Sequence, residues 1–361
     1  MIVLRKLFYL FLCLILTVYV VKTQNLAEVE NLVRQWSPLV WMAPNEKYLP
    51  MNAEEFLRHV SVANKNGSII QFYLNGGIRY DLTQQFYLVT RRDLYSLRND
   101  SHSFIYGQNP NHYPVSIYAL VSDCVHGPDL NETKNYISED ANERVSRKNS
   151  SLYFYVTYWL FFPFNEGKKV CTLGKVPFLN LFNRCLGRVK TLGNHVGDWE
   201  HMSLSFSGKN VPDKLYLSIH DFGGYFTYNE KGRYFKFDAQ ENKKTAHRVP
   251  KFPQIVRTQG SHPVVFSAYG SHGLWSSPGE YVYTRVPKLT DTIGYGIPWR
   301  TWNNIKIYHL GKSKLPYWMI YRGKWGNPKN CLLDKLKLCE FFDGPEGILR
   351  KQQDFYCTPR Q

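Results

Sequence analysis

Residues 151–162 read Ser-Leu-Tyr-Phe-Tyr-Val-Thr-Tyr-Trp-Leu-Phe-Phe, and residues 199–206 read Trp-Glu-His-Met-Ser-Leu-Ser-Phe. Both stretches are rich in aromatic residues, which fit the half-buried surface of a β-strand better than a helix. In the second stretch apolar and polar residues alternate, which indicates a strand with one face in a core. We therefore predict a strand at each place.

The same composition extends along the chain, since Tyr, Phe and Trp make up 16% of its 361 residues. A hydrophobic content of 43% with 20% charged residues excludes a disordered chain. Turn-forming clusters, such as residues 75–77 and 221–224, separate further short runs. These runs predict strands at Ile69–Leu74, Gln85–Thr90, Val115–Val121, Lys214–Ile219, Pro263–Ala268, Glu280–Arg285, Asn304–His309 and Trp318–Arg322. The sequence predicts a mostly β protein, an antiparallel β-sandwich with a short helical N-terminal segment.

Two short helices are predicted before the strands. Apolar residues recur with the spacing of one helix face at Val29, Leu32, Val33 and Trp36. Pro38 ends this helix because proline cannot continue it. Further on, Asn52 and Glu55 have the spacing of a capping box, which predicts the start of a second helix.

The N-terminus predicts export of the protein. Arg5 and Lys6 precede an uncharged apolar run over residues 7–21, and polar residues follow at 22–25. This order is typical of a secretory signal peptide, here residues 1–23, and the alternative is an uncleaved anchor. We expect a secreted, extracellular protein in which residues 24–150 and the main sandwich at 151–361 form one continuous unit. The polar stretch at 129–150 is interpreted as an exposed, glycosylated insertion.

The cysteines and sequons agree with export. Six cysteines follow the predicted signal peptide, and an even number in an exported chain predicts three disulfides with fifteen possible pairings. We favour Cys171–Cys185 and Cys331–Cys339 as local loops and Cys124–Cys357 as a link to the tail. Sequons begin at Asn66, Asn99, Asn131 and Asn149.

One cluster carries most of the candidate chemistry. In His-Val-Gly-Asp-Trp-Glu-His at 195–201, a strand would place Asp198 and Glu200 on the same face as Met202. Two close carboxylates repel, so they need a cation, a base or a raised pKa. With His195 within reach through a bend at Gly197, these residue types can hold a divalent metal ion. A structural cluster of ion pairs or hydrogen bonds at the end of the strand is the alternative.

Two more histidines lie beside predicted strands. His220 follows the strand at 214–219 and precedes Asp221, and His272 follows the strand at 263–268. Either histidine can be a purely structural residue. If they share one site, we expect Asp198, Glu200 and at least one of the two histidines to lie within roughly 6 Å of a common point, the range in which charges perturb one another.

These motifs resemble a known family. The segments at 195–201, 218–224 (Ser-Ile-His-Asp-Phe-Gly-Gly) and 270–273 (Gly-Ser-His-Gly) resemble the vacuolar protein sorting-associated protein 62 family. The segments at 36–41, 161–165, 322–326 (Arg-Gly-Lys-Trp-Gly) and 343–345 (Asp-Gly-Pro) fit the same family, together with Glu46. The resemblance covers about residues 30–350, and the family's name refers to a sorting phenotype.

A shorter resemblance bears on the metal. His-x-x-Asp-Trp-Glu at 195–200 is similar to the Gly-His-Arg-His-Asp-Trp-Glu heptad of the necrosis-inducing NLP proteins, with Val-Gly in place of the Arg-His pair. Those are secreted β-sandwich cytolysins that hold a divalent cation and engage sphingolipid sugar head groups. The resemblance implies that His195, Asp198 and Glu200 are metal ligands, and we favour calcium or magnesium. Trp199, His201, His220, Asp221 and His272 are the candidates for contacts to the ligand.

These observations give three functional hypotheses. We favour a non-enzymatic protein that binds a glycan or lipid head group through the cation, with aromatic rings as sugar platforms. A metal-dependent hydrolase, with His220 or His272 moving protons, is the second hypothesis. The third is a secreted structural protein. No serine-hydrolase elbow, zincin helix or nucleotide-binding glycine motif occurs.

The charge of the chain gives an expectation about its partners. The formal net charge of +16 favours an acidic glycan or an anionic membrane surface. An exported chain without a nucleic-acid-binding motif is not expected to bind nucleic acid. The oligomeric state does not follow from the sequence.

Overall fold

The computed structural model describes residues 26–70, 86–124, 152–173, 176–177, 185–220, 222–241, 250–284, 288–333 and 338–350. The first of these segments starts with helix α1 at 26–35. The predicted apolar face of α1 is buried in the main core at Val29, Leu32 and Val33, and Trp36 follows them there. The helical N-terminal segment is therefore confirmed. Within the described residues, no helix combines the length and apolarity needed to cross a bilayer.

Two further helices are short. Helix α2 is Ala53–Phe56, and a 3-10 turn at Leu57–His59 continues it. The predicted capping box is wrong in detail, because the Asn52 side chain makes no cap hydrogen bond. Its Oδ1 atom instead accepts from the Ser116 amide at 2.8 Å and links the helix to the sheet. Helix α3, Leu94–Asn99, begins at Asp93, whose carboxylate accepts from the Ser96 amide and caps the helix.

The strands confirm a mostly β fold. In chain order they are β1 Leu39–Trp41, β2 Val60–Ala63, β3 Tyr87–Thr90, β4 Ile117–Asp123, β5 Tyr153–Asn165, β6 Lys168–Leu173, β7 Val176–Pro177, β8 Arg188–Leu192, β9 His195–Ser207, β10 Lys214–Ile219, β11 Phe222–Asn229, β12 Tyr234–Gln240, β13 Ile255–Gln259, β14 His262–Ser267, β15 Leu274–Trp275, β16 Gly279–Thr284, β17 Leu289–Ile293, β18 Pro298–Arg300, β19 Ile305–His309, β20 Asn330–Leu333 and β21 Leu338–Phe341. The longest are β5 and β9, which contain the two stretches that predicted the fold.

One large sheet contains twelve of these strands. Its order is β18-β1-β14-β13-β12-β11-β10-β9-β5-β4-β19, and β15 pairs with β14. Most pairs are antiparallel, as predicted, whereas β1 with β14 and β19 with β4 are parallel. These parallel pairs are possible because the partner strands are far apart in sequence, so a long connection can join them.

The sheet curls around its main core. Five strands separate β14 from β5, so a flat sheet would place these two strands about 30 Å apart. Val265 of β14 and Val156 of β5 nevertheless belong to the same hydrophobic cluster. The two halves of the sheet therefore enclose one core between them, as a sandwich does.

The outer face of β5 and β9 is covered as well. Trp159, Phe161 and Trp199 point away from the main core and pack in a second cluster with Trp325 and α2. Because both faces are covered, the long strands are almost continuously apolar. This explains why β5 reads as an unbroken aromatic run instead of an alternating one.

The structure overturns one strand prediction. Trp318–Arg322 is a pair of turns, in which the Met319 amide donates to the Pro316 carbonyl at 3.0 Å. Its aromatic residues are buried by packing on the sheet, which produces the same composition as a strand. The hairpin strands β11–β13 were not predicted individually, because glycine and charged residues interrupt their apolar pattern.

The two local disulfides are confirmed as Cys171–Cys185 and Cys331–Cys339. Cys357, the predicted partner of Cys124, lies outside the described residues. So do the predicted signal peptide, the insertion at 129–150, and the sequons at Asn131 and Asn149. Asn66 and Asn99 are exposed.

Candidate functional site

The signature segment at 195–201 forms the first half of strand β9. Asp198 and Glu200 lie opposite Phe162 and Leu160 of β5, whose side chains are in the main core. Side chains directly opposite one another in a sheet lie on the same face, so both carboxylates point to the core side, as predicted. Both are buried, with relative exposures of 5% and 6%.

Asp198 binds His272. The two side chains meet at 3.0 Å between Asp198 Oδ2 and His272 Nδ1, and the imidazole stacks on Phe162 with ring centroids 3.9 Å apart. The other ring nitrogen, Nε2, lies 3.0 Å from the carbonyl oxygen of Tyr48. Since a carbonyl can only accept, Nε2 carries a proton.

This geometry fixes the charge of the pair. With Nε2 protonated, the contact between Nδ1 and Asp198 needs one more proton, carried by either partner. The result is an imidazolium beside a carboxylate, or a neutral imidazole beside a carboxylic acid. Either way the pair is neutral overall, which is what complete burial favours. His272 has no exposed surface.

His220 binds a different carboxylate, Asp291 of strand β17. The Oδ2 atom of Asp291 accepts from His220 Nε2 at 2.9 Å and from Trp275 Nε1 at 3.0 Å. Its Oδ1 atom accepts from Ser271 Oγ and Lys168 Nζ, both at 2.8 Å. Four donors thus converge on one fully buried carboxylate.

The charge state of Asp291 follows from these contacts. Desolvation raises the pKa of this carboxyl, but His220 and Lys168 outweigh it and hold the pKa well below the ordinary carboxyl range. Asp291 is therefore ionised across the physiological pH range. It serves as the anionic centre of the loops at this end of the sheet.

Both histidines adopt strained backbone conformations. His220 has φ of 53° and His272 has φ of 57°, in the left-handed region that non-glycine residues rarely occupy. Such strain costs about 1–3 kcal/mol per residue and persists only where surrounding contacts fix the conformation. Here the bonds to Asp291 and Asp198 supply those contacts.

The predicted common site is therefore present in part. Asp198 and His272 meet, as expected, and Ser271 next to His272 reaches Asp291, so both histidines lie at the same end of the sheet. They contact two separate carboxylates, however, so His220 and His272 do not share one centre. Ser271 contacts a carboxylate and not an imidazole, so this arrangement is not a nucleophile with its base.

The remaining predicted residues point elsewhere. His195 Nδ1 lies 2.7 Å from the Gly197 carbonyl oxygen. His201 is on the opposite face, with its ring 4.4 Å from Trp159, and Trp199 is buried in the second core. Asp221 lies outside the described residues. Among the residues that the structure describes, no three His, Cys, Asp or Glu side chains form a group that could hold a metal ion. The ligand set of His195, Asp198 and Glu200 stays a prediction.

Sequence reasoning missed Asp291 and Lys168. Asp291 follows the period of a strand in Leu-Thr-Asp-Thr-Ile at 289–293, between Leu289 and Ile293 on one face. A carboxylate at a core-facing position needs a partner, and this signal could have identified it. Lys168 gives no comparable signal, because nothing in its local pattern separates it from a surface lysine.

An open cavity lies away from this network. It has a volume of about 360 Å³ and lies between the segment at 90–95 and the C-terminal strands. Its lining residues are Thr90, Arg91, Arg92, Asp93, Leu94, Tyr95, Asn327, Pro328, Asn330 and Phe341. None of the residues predicted for ligand contacts lines it.

Comparison with known proteins identifies similar sequences in one family. The family model described as vacuolar protein sorting-associated protein 62 matches residues 114–247. The chain is 26% identical to TDA6 of Saccharomyces cerevisiae, over 91% of this chain and 68% of that protein. It is 27% identical to vacuolar protein sorting-associated protein 62 of the same yeast, over 88% of this chain and 65% of that protein.

The chain thus spans about two thirds of the length of the two yeast relatives. No solved structure matches it. The resemblance drawn from the motifs is confirmed: the chain is similar to the vacuolar protein sorting-associated protein 62 family.

Proposed function

We propose that the protein is a non-enzymatic binding protein that recognises the sugar of a glycan or of a lipid head group in the cavity between residues 90–95 on one side and residues 327–330 with Phe341 on the other. The observation that carries this proposal is the character of the lining, in which arginines and amides surround one exposed aromatic ring. Sugar sites commonly combine such a ring with a few polar groups that fix orientation.

Tyr95 is the ring. Half of its surface is exposed, yet its orientation is fixed from two sides. Its hydroxyl donates to Glu340 Oε2 at 3.2 Å, and its ring meets Phe341 edge-on with centroids 5.8 Å apart. A ring that is held in place loses little entropy when a sugar stacks on it.

The arginines favour an acidic ligand. Arg91 is anchored by its Nε atom, which donates to the Val60 carbonyl at 3.2 Å. Arg92 contacts Asp100 at 2.9 Å, and both partners are partly exposed, so this pair is worth little. A guanidinium group matches carboxylate and phosphate groups in a bidentate way. We therefore propose an acidic or phosphorylated sugar, in a glycan or in a lipid head group, as the ligand.

The buried network has a different role in this proposal. His272 and Asp291 have no exposed surface, and their polar atoms are already bonded to protein groups. Chemistry on a substrate needs groups that the substrate can reach. We therefore assign the network to holding the loops, and we propose neither a hydrolase nor a route of binding through the predicted cation.

The names of the relatives refer to vacuolar protein sorting. We propose a related role for this chain, on the lumenal or extracellular side of the membrane. The predicted signal peptide supports that side, as do the two disulfides, which persist in oxidising compartments. A site for an acidic sugar there would select glycosylated cargo or glycolipid.

Binding of the purified protein to an array of neutral and acidic glycans tests the proposal. We expect binding to acidic glycans and a loss of roughly tenfold or more in affinity for Tyr95→Ala, since an aromatic ring at the centre of a site commonly contributes this much. Tyr113→Ala is the matched control, because Tyr113 is 54% exposed and does not line the cavity.

Two outcomes would contradict the proposal: no glycan binds, or Tyr95→Ala binds as the parent protein does. Repeating the array with EDTA tests the predicted cation separately. A loss of binding in the presence of EDTA would show that binding needs the predicted cation.

A further inference from the structure

A second surface, formed by the turns at 316–321, carries its own signal. The Met319 amide donates to the Pro316 carbonyl at 3.0 Å, and the Tyr321 amide donates to the Trp318 carbonyl at 3.3 Å. These bonds define two successive turns. We call residues 316–321 the tip.

The tip exposes apolar side chains on a firm base. Tyr317 is 82% exposed and Ile320 is 46% exposed. Between them, Met319 is fully buried, and the Trp318 ring stacks on Trp199 with centroids 6.0 Å apart. Packing of the two middle residues thus forces the two outer residues into solvent. Large apolar side chains held in water in this way mark a surface that contacts something else.

The sequence on both sides of the tip is basic. Residues 292–333 contain seven Lys and Arg and no Asp or Glu. Lys306, Lys312 and Lys324 pair with carboxylates from other parts of the chain. Among the described residues, the exposed Lys314 and Arg322 on either side of the tip pair with no carboxylate. The tip therefore carries apolar residues between basic ones.

We propose that the tip docks the protein on the surface of an anionic lipid bilayer. Tyrosine is enriched at membrane interfaces because its ring is apolar and its hydroxyl is polar. Isoleucine adds apolar surface for the boundary of the acyl chains, and basic residues are attracted to anionic head groups. The combination of two apolar residues with flanking Lys314 and Arg322 fits a partner that is anionic at its surface and apolar just beneath it, as an anionic bilayer is.

Docking by the tip is independent of the proposed sugar site, because the tip shares no residue with the cavity. Vesicles without any glycolipid therefore test it alone. The full-length protein is sedimented with vesicles of phosphatidylcholine, and with vesicles that contain about one third phosphatidylserine. We expect binding only to the second kind, and we expect it to weaken steeply between 0.1 and 0.5 M salt because charge attraction is screened.

Two double variants separate the two contributions. Tyr317→Ser with Ile320→Ser removes the apolar part, and Lys314→Gln with Arg322→Gln removes the charge. We expect each to lower the partition coefficient onto anionic vesicles roughly tenfold. The matched controls, Tyr113→Ser and Lys231→Gln with Lys236→Gln, change exposed residues elsewhere and should bind as the parent does.

The changed residues are exposed, so the variants should keep the thermal midpoint of the parent protein. Binding to neutral vesicles as strong as binding to anionic ones would overturn the proposal. So would an absence of binding to both, or retained binding by the Tyr317→Ser and Ile320→Ser variant. Tyr95→Ala should bind these sugar-free vesicles like the parent, so failure of the sugar site and failure of the tip remain distinguishable.

Discussion

Replacing Asp291 by asparagine should lower the free energy of unfolding by about 3 kcal/mol, the lower end of the range for breaking a buried ion pair. The substitution keeps the shape of the side chain and removes its charge. His220 and Trp275 then lose their anionic acceptor, and the amide offers only one oxygen to four donors. The loss stays near the lower end because Lys168 keeps a bond to the Tyr269 carbonyl and is 18% exposed.

Urea unfolding followed by fluorescence and by circular dichroism measures this change. Asp238→Asn is the control, because Asp238 pairs with Lys214 at 3.4 Å and both side chains are about half exposed. Exposed pairs contribute roughly 0–1 kcal/mol, so the control should lose less than about 1 kcal/mol. Equal losses for the two variants would show that Asp291 does not organise the loops.

The pH dependence of stability provides an independent check. The pKa of Asp291 is lower in the folded protein than in the unfolded chain, so the unfolded chain binds this proton first as pH falls. The contribution of Asp291 is therefore complete above the ordinary carboxyl range and is lost as pH falls through that range towards the folded pKa. The difference in unfolding free energy between the parent and Asp291→Asn should be constant near pH 7 and shrink below about pH 4.

The sequence predicted the parts of the fold that depend on local pattern. Strands β5 and β9 were predicted because their aromatic and alternating residues can form little else. A meeting of the Asp198 and Glu200 pair with at least one of the two histidines was predicted because these residues lie near the ends of predicted strands. The structure shows it for Asp198 and His272. The contacts of Asp291 were missed because its four donors come from separate loops and strands. A local sequence pattern cannot predict contacts between residues that are far apart in the chain.

At the tip, the sequence predicted a strand that the structure does not contain. Trp318–Arg322 has the composition of a strand because Trp318, Met319 and Tyr321 pack on the aromatic second core. Composition reports burial, and it does not report which backbone conformation achieves that burial. Spacing also placed Asp198 and Glu200 on one face, but it could not show that His195 Nδ1 lies 2.7 Å from the carbonyl oxygen of Gly197 in its own strand.

Gly197→Ala should lower the free energy of unfolding by about 4 kcal/mol or more, the range that strain and steric overlap in a core produce. Gly197 has φ of 68°, and a Cβ atom there would lie 2.0 Å from the Trp325 carbonyl oxygen. The two segments are close in both directions, because a Cβ atom on Gly326 would lie 2.1 Å from the Val196 oxygen. A third segment is equally close, since a Cβ atom on Gly344 would lie 2.3 Å from the Trp325 oxygen. Three backbone segments therefore meet without side chains between them.

This junction gives the family motifs a physical reason. Gly197, Gly326 and Gly344 belong to the motifs at 195–201, 322–326 and 343–345 that carried the resemblance. The junction lets Trp325 pack on Trp199 with ring centroids 5.1 Å apart, which attaches the C-terminal segment to the outer face of β9. Strand β9 also carries Asp198 on its inner face, so the segment at 195–201 contacts both cores.

Gly260→Ala separates steric overlap from backbone strain. Gly260 has φ of 63°, close to that of Gly197, but a Cβ atom there would meet nothing within 4 Å. It should cost only the roughly 1–2 kcal/mol of a left-handed alanine. Thermal and urea unfolding of both variants, with Gly326→Ala as a second change in the junction, measure the difference. If Gly197→Ala and Gly260→Ala lose equal stability, close backbone packing is not what Gly197 provides. If Gly326→Ala matches Gly197→Ala, the C-terminal segment is held on β9 by contact between the two backbones.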